Sequence, residues 1–130
     1  MKKRDVSVII FYDGNKRILL QDRSEISKFG EEWGFFGGGI ENGETPEEAV
    51  VRETKEELDY DLKDFSFFRK FHYLNHEFDV NLYVFTARLP FKKFIVKEGK
   101  RGELFSLEEA KKLKVMPWDY LIIDSLKEII

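Results

Sequence analysis

The chain has 130 residues, of which 22 are basic and 25 are acidic, so its formal net charge is −3. This length fits one domain spanning residues 1–130. A hydrophobic fraction of 42% with 13 Phe excludes intrinsic disorder, and no apolar run is long enough for a membrane helix. The absence of cysteine excludes disulfides and Cys-ligated metals, and the near-zero net charge argues against a strongly basic nucleic-acid-binding protein.

The first four residues are basic, like the start of a secretion signal. The apolar stretch that follows, residues 6–12, is short, contains a serine and ends at Asp13-Gly14 without a cleavage site of small residues. We interpret it as a first strand, and we expect the protein to work in the cytoplasm without contact to a membrane.

The charges are distributed unevenly along the chain. Residues 41–61 contain nine acidic and two basic residues, a net charge of −7, and the remainder carries a net charge of +4. One acidic segment therefore lies within a mildly basic protein. This distribution suits a small phosphorylated ligand that is bound through a metal ion.

The first third of the chain predicts short strands. Residues 6–12 and 17–21 are β-type runs joined through Asp13-Gly14-Asn15, which predicts a hairpin. A polar, loop-like stretch separates this hairpin from a short apolar run at residues 33–36. That run ends abruptly at three glycines, residues 37–39.

A helix is predicted to begin at residues 45–48, Thr-Pro-Glu-Glu. The threonine and the second glutamate have the spacing of a capping box, and proline occupies the first helical position. The helix should reach about Leu58. Its core side consists of Ala49, Val50, Val51, Thr54 and Leu58.

The second half predicts aromatic-rich strands at residues 65–74 and 79–88, and a short strand around residues 103–105. A second capping box at residues 106–109 is followed by a last helix from Trp118 to Ile130, which Pro117 opens. Strands and helices alternate irregularly, which predicts an α/β fold with a mixed β-sheet between helices.

Three carboxylates share one face of the first helix. Glu53, Glu56 and Glu57 fall within about 100° of arc, beside the residues that point into the core. Their mutual repulsion and the helix dipole both disfavour this arrangement. A hard cation would relieve both effects, because Mg²⁺ prefers oxygen ligands and bridges carboxylates to phosphates. A solvated acidic face is the alternative that the helix alone leaves open.

A spaced pattern of glycine, glutamate and arginine surrounds these carboxylates. Gly38 is followed after five residues by Glu44, and after seven more by Arg-Glu-Thr-Lys-Glu-Glu at residues 52–57. The pattern resembles the Nudix hydrolase signature at all six of its Gly, Glu and Arg positions through Glu57. The segment that carries the resemblance spans residues 38–60.

Three positions depart from the family pattern. Thr54 and Tyr60 stand where aliphatic residues are usual, and Asp59 replaces a glycine. Aspartate tolerates left-handed backbone better than most residues, so we still expect the helix to end there.

The resemblance implies a Nudix-type α/β/α sandwich and an enzyme that cleaves a pyrophosphate bond in a nucleoside diphosphate linked to another group. It implies Mg²⁺ as the cofactor, with Mn²⁺ as a substitute. By the same resemblance, the Gly38 carbonyl, Glu53, Glu56 and Glu57 would hold the metal. Either Glu53 or Glu57 would deprotonate or orient the water.

The resemblance also implies roles for two neighbouring residues. Arg52 would brace the glutamates, and Glu44 would support the loop–helix–loop. An ordinary helix ion pair of Arg52 with Glu48 or Glu56 is the alternative, and both roles can hold together.

Less specific features resemble the MutT branch of the family, which sanitises nucleoside triphosphates. Residues 97–103 are similar to a loop in which that branch supplies a further carboxylate to the metal or the water. We assign this role to Glu98, with Glu103 or a plain loop charge as alternatives. Arg23 stands where MutT-like proteins have a substrate-contacting arginine, or it is a surface hairpin cation.

The resemblance also suggests residues that contact the base. Phe35 would contact it, or is buried in the sheet. Phe36 replaces a common proline, so we expect the wall of the base pocket to differ. Asp119 would accept hydrogen bonds from the base edge and Trp118 would stack on the base; an ordinary helix-start aspartate beside a packed tryptophan is the alternative.

We therefore predict a Mg²⁺-dependent pyrophosphohydrolase of a nucleoside triphosphate, including oxidised purine nucleotides, that releases a monophosphate and pyrophosphate. The alternatives are another nucleotide derivative (a dinucleoside polyphosphate, ADP-ribose or a nucleotide sugar) and a catalytically silent nucleotide- or RNA-binding module. Three mutually repelling glutamates argue against the silent module. The basic residues between 92 and 101 are interleaved with Phe91 and Phe94 and could bind a nucleic-acid backbone. We favour instead a solvated face or contact with the polyphosphate tail of a small substrate. The oligomeric state, monomer or homodimer, is left open.

Overall fold

The computed structural model describes residues 1–90, 94 and 102–130. The described chain contains seven strands, three α-helices and a final 3₁₀ turn. In chain order they are β1 (Lys2–Tyr12), β2 (Arg17–Asp22), β3 (Trp33–Gly34), β4 (Phe36–Gly39), α1 (Pro46–Leu58), β5 (Ser66–Leu74), β6 (Phe78–Arg88), β7 (Gly102–Ser106), α2 (Leu107–Ala110), α3 (Asp119–Ser125) and the 3₁₀ turn (Leu126–Glu128).

The strands form one mixed sheet with β1 near its centre. β1 runs parallel to β6 along its whole length, from Lys2 opposite Phe78 to Tyr12 opposite Arg88. On its other side β1 pairs antiparallel with β4 and β2. β2 also pairs with β3 and β7, and β5 lies at the far edge beyond β6. The predicted mixed sheet is confirmed.

The predicted hairpin between β1 and β2 is present. One oxygen of the Asp13 carboxylate accepts hydrogen bonds from the backbone N–H groups of Asn15 and Arg17, at 3.0 and 2.9 Å. The Asp13 side chain therefore stabilises the turn that begins β2.

Alternating residues of β1 supply two separate cores, because successive side chains of a strand point to opposite faces. Ile9 and Phe11 belong to the core that also contains Val50 and Leu58 of α1. Val8 and Ile10 belong to the other core, which also contains Ile122 and Ile123 of α3, Leu126 and Ala110 of α2. The sheet thus lies between helices on both faces, as predicted.

Helix α1 has the predicted bounds. Thr45 accepts a hydrogen bond from the Glu48 N–H, and the Glu48 side chain accepts one from the Thr45 N–H, so the capping box is complete. Asp59 adopts left-handed backbone with φ 51° and ends the helix, as expected for this residue. Val51, predicted on the core side, is only half-buried, whereas Glu57 is buried.

The last helix is shorter than predicted. It begins at Asp119, not Trp118, and changes at Leu126 to a 3₁₀ turn that ends at Glu128. Trp118, at its N-cap position, makes no capping side-chain bond, and the N–H groups of Ile129 and Ile130 both donate to the Leu126 carbonyl. The first of these bonds has the tighter 3₁₀ spacing and the second the α-helical spacing, so the helix ends in a single 3₁₀ turn.

The second capping box is confirmed, although α2 that follows it is a single turn. Among the described residues, no helix is both long enough and apolar enough to cross a lipid bilayer.

Candidate active site

A cleft with a volume of about 200 Å³ opens on the α3 side of the sheet. Its lining includes Gly37 and Gly38, and also Trp118 and Asp119. The glycines come from β4, and the two other residues come from the start of α3. Two segments about 80 residues apart in sequence therefore meet in one cavity.

At Gly38, strand β4 comes into contact with helix α1, which carries the three glutamates. A Cβ atom built on Gly38 would lie only 2.5 Å from Glu53 Oε1 and 2.6 Å from its carboxyl carbon. Any side chain at this position would displace the Glu53 carboxylate, so the glycine allows the carboxylate to lie directly against β4.

Glu57 is the most deeply buried of the three helix glutamates, with 4% of its surface exposed. One of its carboxylate oxygens accepts a hydrogen bond of 2.8 Å from the backbone N–H of Gly37. The residue therefore connects α1 to the glycines that line the cleft. A carboxylate held by a backbone donor is already oriented before any ligand arrives.

Arg52 lies among the carboxylates of the signature. Its guanidinium donates two parallel hydrogen bonds to Glu44, from Nε at 2.7 Å and from Nη2 at 2.9 Å. Nη1 donates to Glu53 at 3.0 Å, and Nη2 also donates to the Gly39 carbonyl at 3.0 Å. The Arg52 hydrogen bonds lower the pKa of Glu44 to about 2, and the bond to Glu44 is the main reason that the pKa of Arg52 is raised.

These contacts can be compared with the alternative of an ordinary helix ion pair between Arg52 and Glu48 or Glu56. Its longest contact to a helix glutamate is to Glu56, at 3.4 Å, while Glu48 is engaged in the helix cap. Arg52 forms an ion pair within the helix and also connects the helix to Glu44 and to β4.

The glutamates of α1 offer oxygen ligands for a hard divalent cation. Within residues 1–90, 94 and 102–130, no three acidic or histidine side chains already converge on one cation position. The Arg52 guanidinium lies between Glu53 and Glu56, and Glu57 turns towards Gly37. The Glu53 carboxylate nevertheless lies against the Gly38 backbone, and carboxylate oxygens are ligands that such a cation prefers.

The predictions for residues 91–103 concern Glu98 and the basic residues around it, the alternative Glu103, and Phe94. Glu98 and the basic residues around it lie outside the described residues. Glu103 is exposed on β7, opposite Leu20 of β2. Phe94 is described, and it packs against Phe11 and Tyr60.

Asp119 also lines the cleft and is buried, with 6% of its surface exposed. The pKa of its carboxyl is raised to about 7, mainly by burial; the positive charge of Arg23 opposes this increase, and the negative charge of Glu31 adds to it. The residue can therefore change its protonation state near neutral pH. A neutral carboxyl donates one hydrogen bond, and an ionised one only accepts.

Trp118 forms part of an aromatic wall. Its ring stacks on Tyr73 of β5, with the ring centroids 4.1 Å apart and the planes 14° from parallel. Burial and the nearby Asp119 charge raise the pKa of Tyr73 to about 12. Both aromatic residues line the cleft.

The structure brings Arg23 and Phe35 to the same cleft. Arg23 is half-buried and donates from Nε to Glu31 at 3.0 Å and from Nη1 to Gln21 at 2.9 Å, so it is not a freely solvated hairpin cation. Phe35 is buried in the core and also lines the cleft. The alternative of burial in the sheet therefore holds for Phe35, and its contact with a base stays a prediction.

Phe36 does not itself form the wall of the cleft, and the expected difference in the base pocket stays a prediction. The Phe36 side chain is fully buried in the core beneath α1, on the opposite face of the sheet from the cleft. Adjacent residues of an extended segment point to opposite faces, so Phe35 reaches the cleft and Phe36 cannot.

Several cleft residues were not predicted from the sequence, among them Glu31, Gly34 and Tyr73. Glu31 lies in a polar stretch that looked solvated, and Gly34 interrupts a short apolar run. Tyr73 belongs to a strand whose pairing depends on distant residues. Only the apolar alternation of β5 could have indicated that Tyr73 points inwards.

Comparison with known proteins decides the family. The model of the NUDIX domain matches residues 1–126 of this chain. The chain belongs to the Nudix family. It is a MutT-like Nudix hydrolase, an enzyme class that acts on anhydride bonds and generally needs a divalent metal ion.

Individual relatives agree with this assignment. The Nudix chain is 36% identical to 8-oxo-dGTP diphosphatase of Escherichia coli strain K12 over 107 residues, which are 82% of this chain and 83% of the relative. It is 38% identical to nucleoside triphosphatase NudI of Enterobacter sp. strain 638, over 45% of this chain and 41% of that protein. The crystal structure of a MutT protein from Methanosarcina mazei Go1 superposes with a TM-score of 0.84 at 18% identity, covering 98% of this chain and 94% of that chain.

Proposed function

We propose that this Nudix hydrolase cleaves a phosphoanhydride bond of a nucleoside triphosphate, with oxidised purine nucleotides as the preferred class, and releases a monophosphate and pyrophosphate. One observation carries the proposal. A single cleft extends from Gly38, against which the Glu53 carboxylate lies, to the buried Asp119 and the aromatic ring of Trp118. Such a cleft can hold the phosphates at one end and the base at the other.

The names of two relatives support this substrate class. The Escherichia coli relative is an 8-oxo-dGTP diphosphatase, and the Enterobacter relative is a nucleoside triphosphatase. Because the first covers most of both chains, its substrate is the first to test. The finer choice among bases depends on Asp119, Trp118, Arg23 and Phe35, which we propose as the substrate-binding residues.

We propose Mg²⁺ as the cofactor, with Mn²⁺ as a substitute. The proposed ligands are the Gly38 carbonyl and the carboxylates of Glu53, Glu56, Glu57 and Glu98. A divalent ion bound there would neutralise phosphate charge and lower the pKa of a bound water molecule.

The protein's own residues then perform the remaining tasks. Glu57 is held by the Gly37 N–H and Glu53 by Arg52, so either carboxylate is oriented to take a proton from the attacking water. Arg52 balances the negative charge of the glutamates, and Glu44 fixes the Arg52 guanidinium from the opposite side. The half of the site that carries charge is therefore preorganised.

Burial of Asp119 strengthens the proposed recognition of the base. The Asp119 carboxyl lies away from water, where a hydrogen bond to a base edge is worth more than on the surface. The stacked Tyr73 and Trp118 rings supply a flat apolar wall beside it. A base that leaves Asp119 without a partner would bind weakly, because an unmade buried hydrogen bond costs about 1–3 kcal/mol.

The test is turnover of a nucleotide panel with Mg²⁺ and after its removal by chelation. The panel contains normal and oxidised purine triphosphates, a dinucleoside polyphosphate, ADP-ribose and a nucleotide sugar. Wild type is compared with Glu57→Gln, and the exposed Glu47→Gln of the first turn of α1 is the matched control.

We expect metal-dependent turnover of triphosphates, a loss of at least about 100-fold in Glu57→Gln, and wild-type turnover in Glu47→Gln. Turnover of only the other derivatives would refute the substrate class. Absence of any metal-dependent turnover would indicate a silent binding module.

Three further expectations stay predictions: one domain over residues 1–130, a cytoplasmic location, and a monomer or homodimer. Binding of nucleic acid is not part of the proposal.

A further inference from the structure

Residues 23–32, which we call the Arg23 loop, connect β2 to β3 and form a closed turn. The Arg23 carbonyl accepts hydrogen bonds from the N–H groups of Ile26 and Ser27, at 3.0 and 2.8 Å. The Arg23 N–H donates to the Glu32 carbonyl at 2.7 Å, so the two ends of the loop are held together. Phe29 stands near the tip, 68% exposed, and lines the cleft.

Glu31 is the buried charged residue of this loop, with 7% of its surface exposed. Its Oε1 accepts from Ser27 Oγ at 2.6 Å and from the Phe29 N–H at 3.2 Å, and its Oε2 accepts from Arg23 Nε at 3.0 Å. Burial by itself raises the pKa of Glu31, but the hydrogen bonds from Ser27 and Arg23 lower it overall. Glu31 is therefore ionised at neutral pH.

Arg23 is confined on two sides. Glu31 and Gln21 hold its guanidinium, and its aliphatic stem lies over Gly34, where a Cβ atom would be 2.5 Å from Arg23 Cδ. Arg23, Glu31 and Gly34 all line the cleft that contains Asp119. These contacts hold Arg23 in the cleft wall. The proposed metal binding and water activation at Glu53 and Glu57 do not require Arg23.

We propose that Glu31 is a positioning residue for base recognition: it holds Arg23 along the cleft wall and shapes the Arg23 loop so that Phe29 stands at the cleft mouth. This inference rests on the proposed function of the cleft. With Arg23 paired to Glu31, the Asp119 side chain remains available to the base. Without the Glu31 charge, the guanidinium is released to pair with Asp119 instead.

Because charged groups surround Asp119, the proposed role of Glu31 predicts a measurable change in the pKa of Asp119. Arg23 and Glu31 act on it from the Arg23 loop with opposite signs. Tyr73 of β5 also faces Asp119, and Arg4 of β1 acts on Tyr73. Replacing Glu31 by a neutral residue removes a negative charge and leaves Arg23 unbalanced. Both changes favour the ionised form of Asp119 and so lower its pKa.

The experiment compares wild type, Glu31→Gln and Glu32→Gln. Glu32 undergoes the same chemical change one residue away, but its side chain is exposed and it does not line the cleft. For each protein we would measure kcat and KM for the best triphosphate of the panel, the melting temperature, and the Asp119 carboxyl titration by carbon NMR without substrate.

We expect Glu31→Gln to raise KM about tenfold while kcat stays within about twofold, and to lower the Asp119 pKa. Glu32→Gln should match wild type. If Glu31→Gln folds poorly, Ser27→Ala removes one Glu31 hydrogen bond without changing charge, and it should raise KM in the same direction.

A wild-type KM and Asp119 titration in Glu31→Gln would overturn the inference. So would a uniform loss of kcat on all nucleotides together with a lower melting temperature, which indicates a purely structural role. A wild type that cleaves no nucleotide would instead refute the proposed function, and the substrate-free titration separates that result from failure of the Glu31 role.

Discussion

The Ser7 hydroxyl donates a hydrogen bond of 2.9 Å to the backbone carbonyl of Pro46. Ser7 is fully buried in β1, and it lies opposite Gly38 in the pairing with β4. One small side chain therefore connects the central strand to the first turn of α1, beside the glycine that contacts Glu53. The position of α1 relative to the cleft depends on this contact.

We expect Ser7→Ala to lower the free energy of unfolding by about 0.5–1.5 kcal/mol, the usual net contribution of one hydrogen bond. Activity should fall as well, because the start of α1 loses its connection to β1. Urea unfolding and steady-state turnover measure both quantities. Ser66→Ala, at an exposed serine of β5, is the control and should change neither.

Gly37 and Gly38 of β4 should respond differently to alanine. In Gly38→Ala the new Cβ meets the end of the Glu53 side chain, which can move, so activity should fall strongly while the melting temperature changes little. In Gly37→Ala the Cβ would lie 2.2 Å from the Ser7 carbonyl oxygen, and φ is +144°, so the fold itself should be destabilised by about 2 kcal/mol or more. Thermal melts and turnover of both variants test the contrast, and equal melting temperatures would contradict it.

Glu44→Gln should reduce activity because Glu44 holds the Arg52 guanidinium. Glutamine cannot accept both Arg52 bonds with a negative charge, so the guanidinium shifts towards Glu53 and Glu56. Loss of such a supporting contact typically costs about 10–100-fold in activity or metal affinity. Metal titration and turnover measure it, and Glu47→Gln should leave both unchanged.

The same variant has a pH signature. Arg52 lowers the pKa of Glu44 from 4.5 to about 2, so the stability gained is fully present above pH 4.5 and is lost as the pH falls through 2. The difference in melting temperature between wild type and Glu44→Gln should therefore shrink between pH 5 and pH 2. A constant difference would show that the Glu44–Arg52 pair does not stabilise the fold through its charge.

Asp119→Asn should change the pH dependence in the opposite direction. The pKa of Asp119 is raised from 3.8 to about 7 in the folded state, so the folded protein binds more protons than the unfolded chain between these values. The contribution of Asp119 to stability must therefore fall as the pH rises from 4 to 7. The variant lacks this fall and should be more stable at pH 8 by a few kcal/mol, since one pKa unit corresponds to about 1.4 kcal/mol.

Urea unfolding of both proteins at pH 4 and pH 8 tests the Asp119 prediction, because the two should agree at pH 4 and separate at pH 8. Parallel stabilities at both values would contradict it. In turnover assays, the variant should change base preference more than it changes the rate on a poorly discriminated nucleotide.

Local features of this fold were predictable from the sequence. The bounds of α1 follow from a capping box at Thr45 and a left-handed residue at Asp59, and each depends on contacts within a few residues. The glutamates of the signature and the Asp13 turn are local in the same sense.

Long-range features were not predictable in this way. β1 pairs in parallel with β6 although Lys2 and Phe78 lie 76 residues apart, and local patterns cannot specify such a partner. Tyr73 reaches Trp118 only through that pairing. Glu31 looked like a solvated loop charge because its three donors converge on it only after the loop has closed.

Phe35 and Phe36 have a consequence for how this protein can vary. One ring lines the cleft and the other lies beneath α1, and only strand alternation separates them. Inserting or deleting one residue between Trp33 and Phe36 would turn each ring towards the opposite face of the sheet. The lining of the cleft and the packing beneath α1 would both be disrupted. New substrate preferences in this segment can therefore arise by replacing side chains, but not by changing its length.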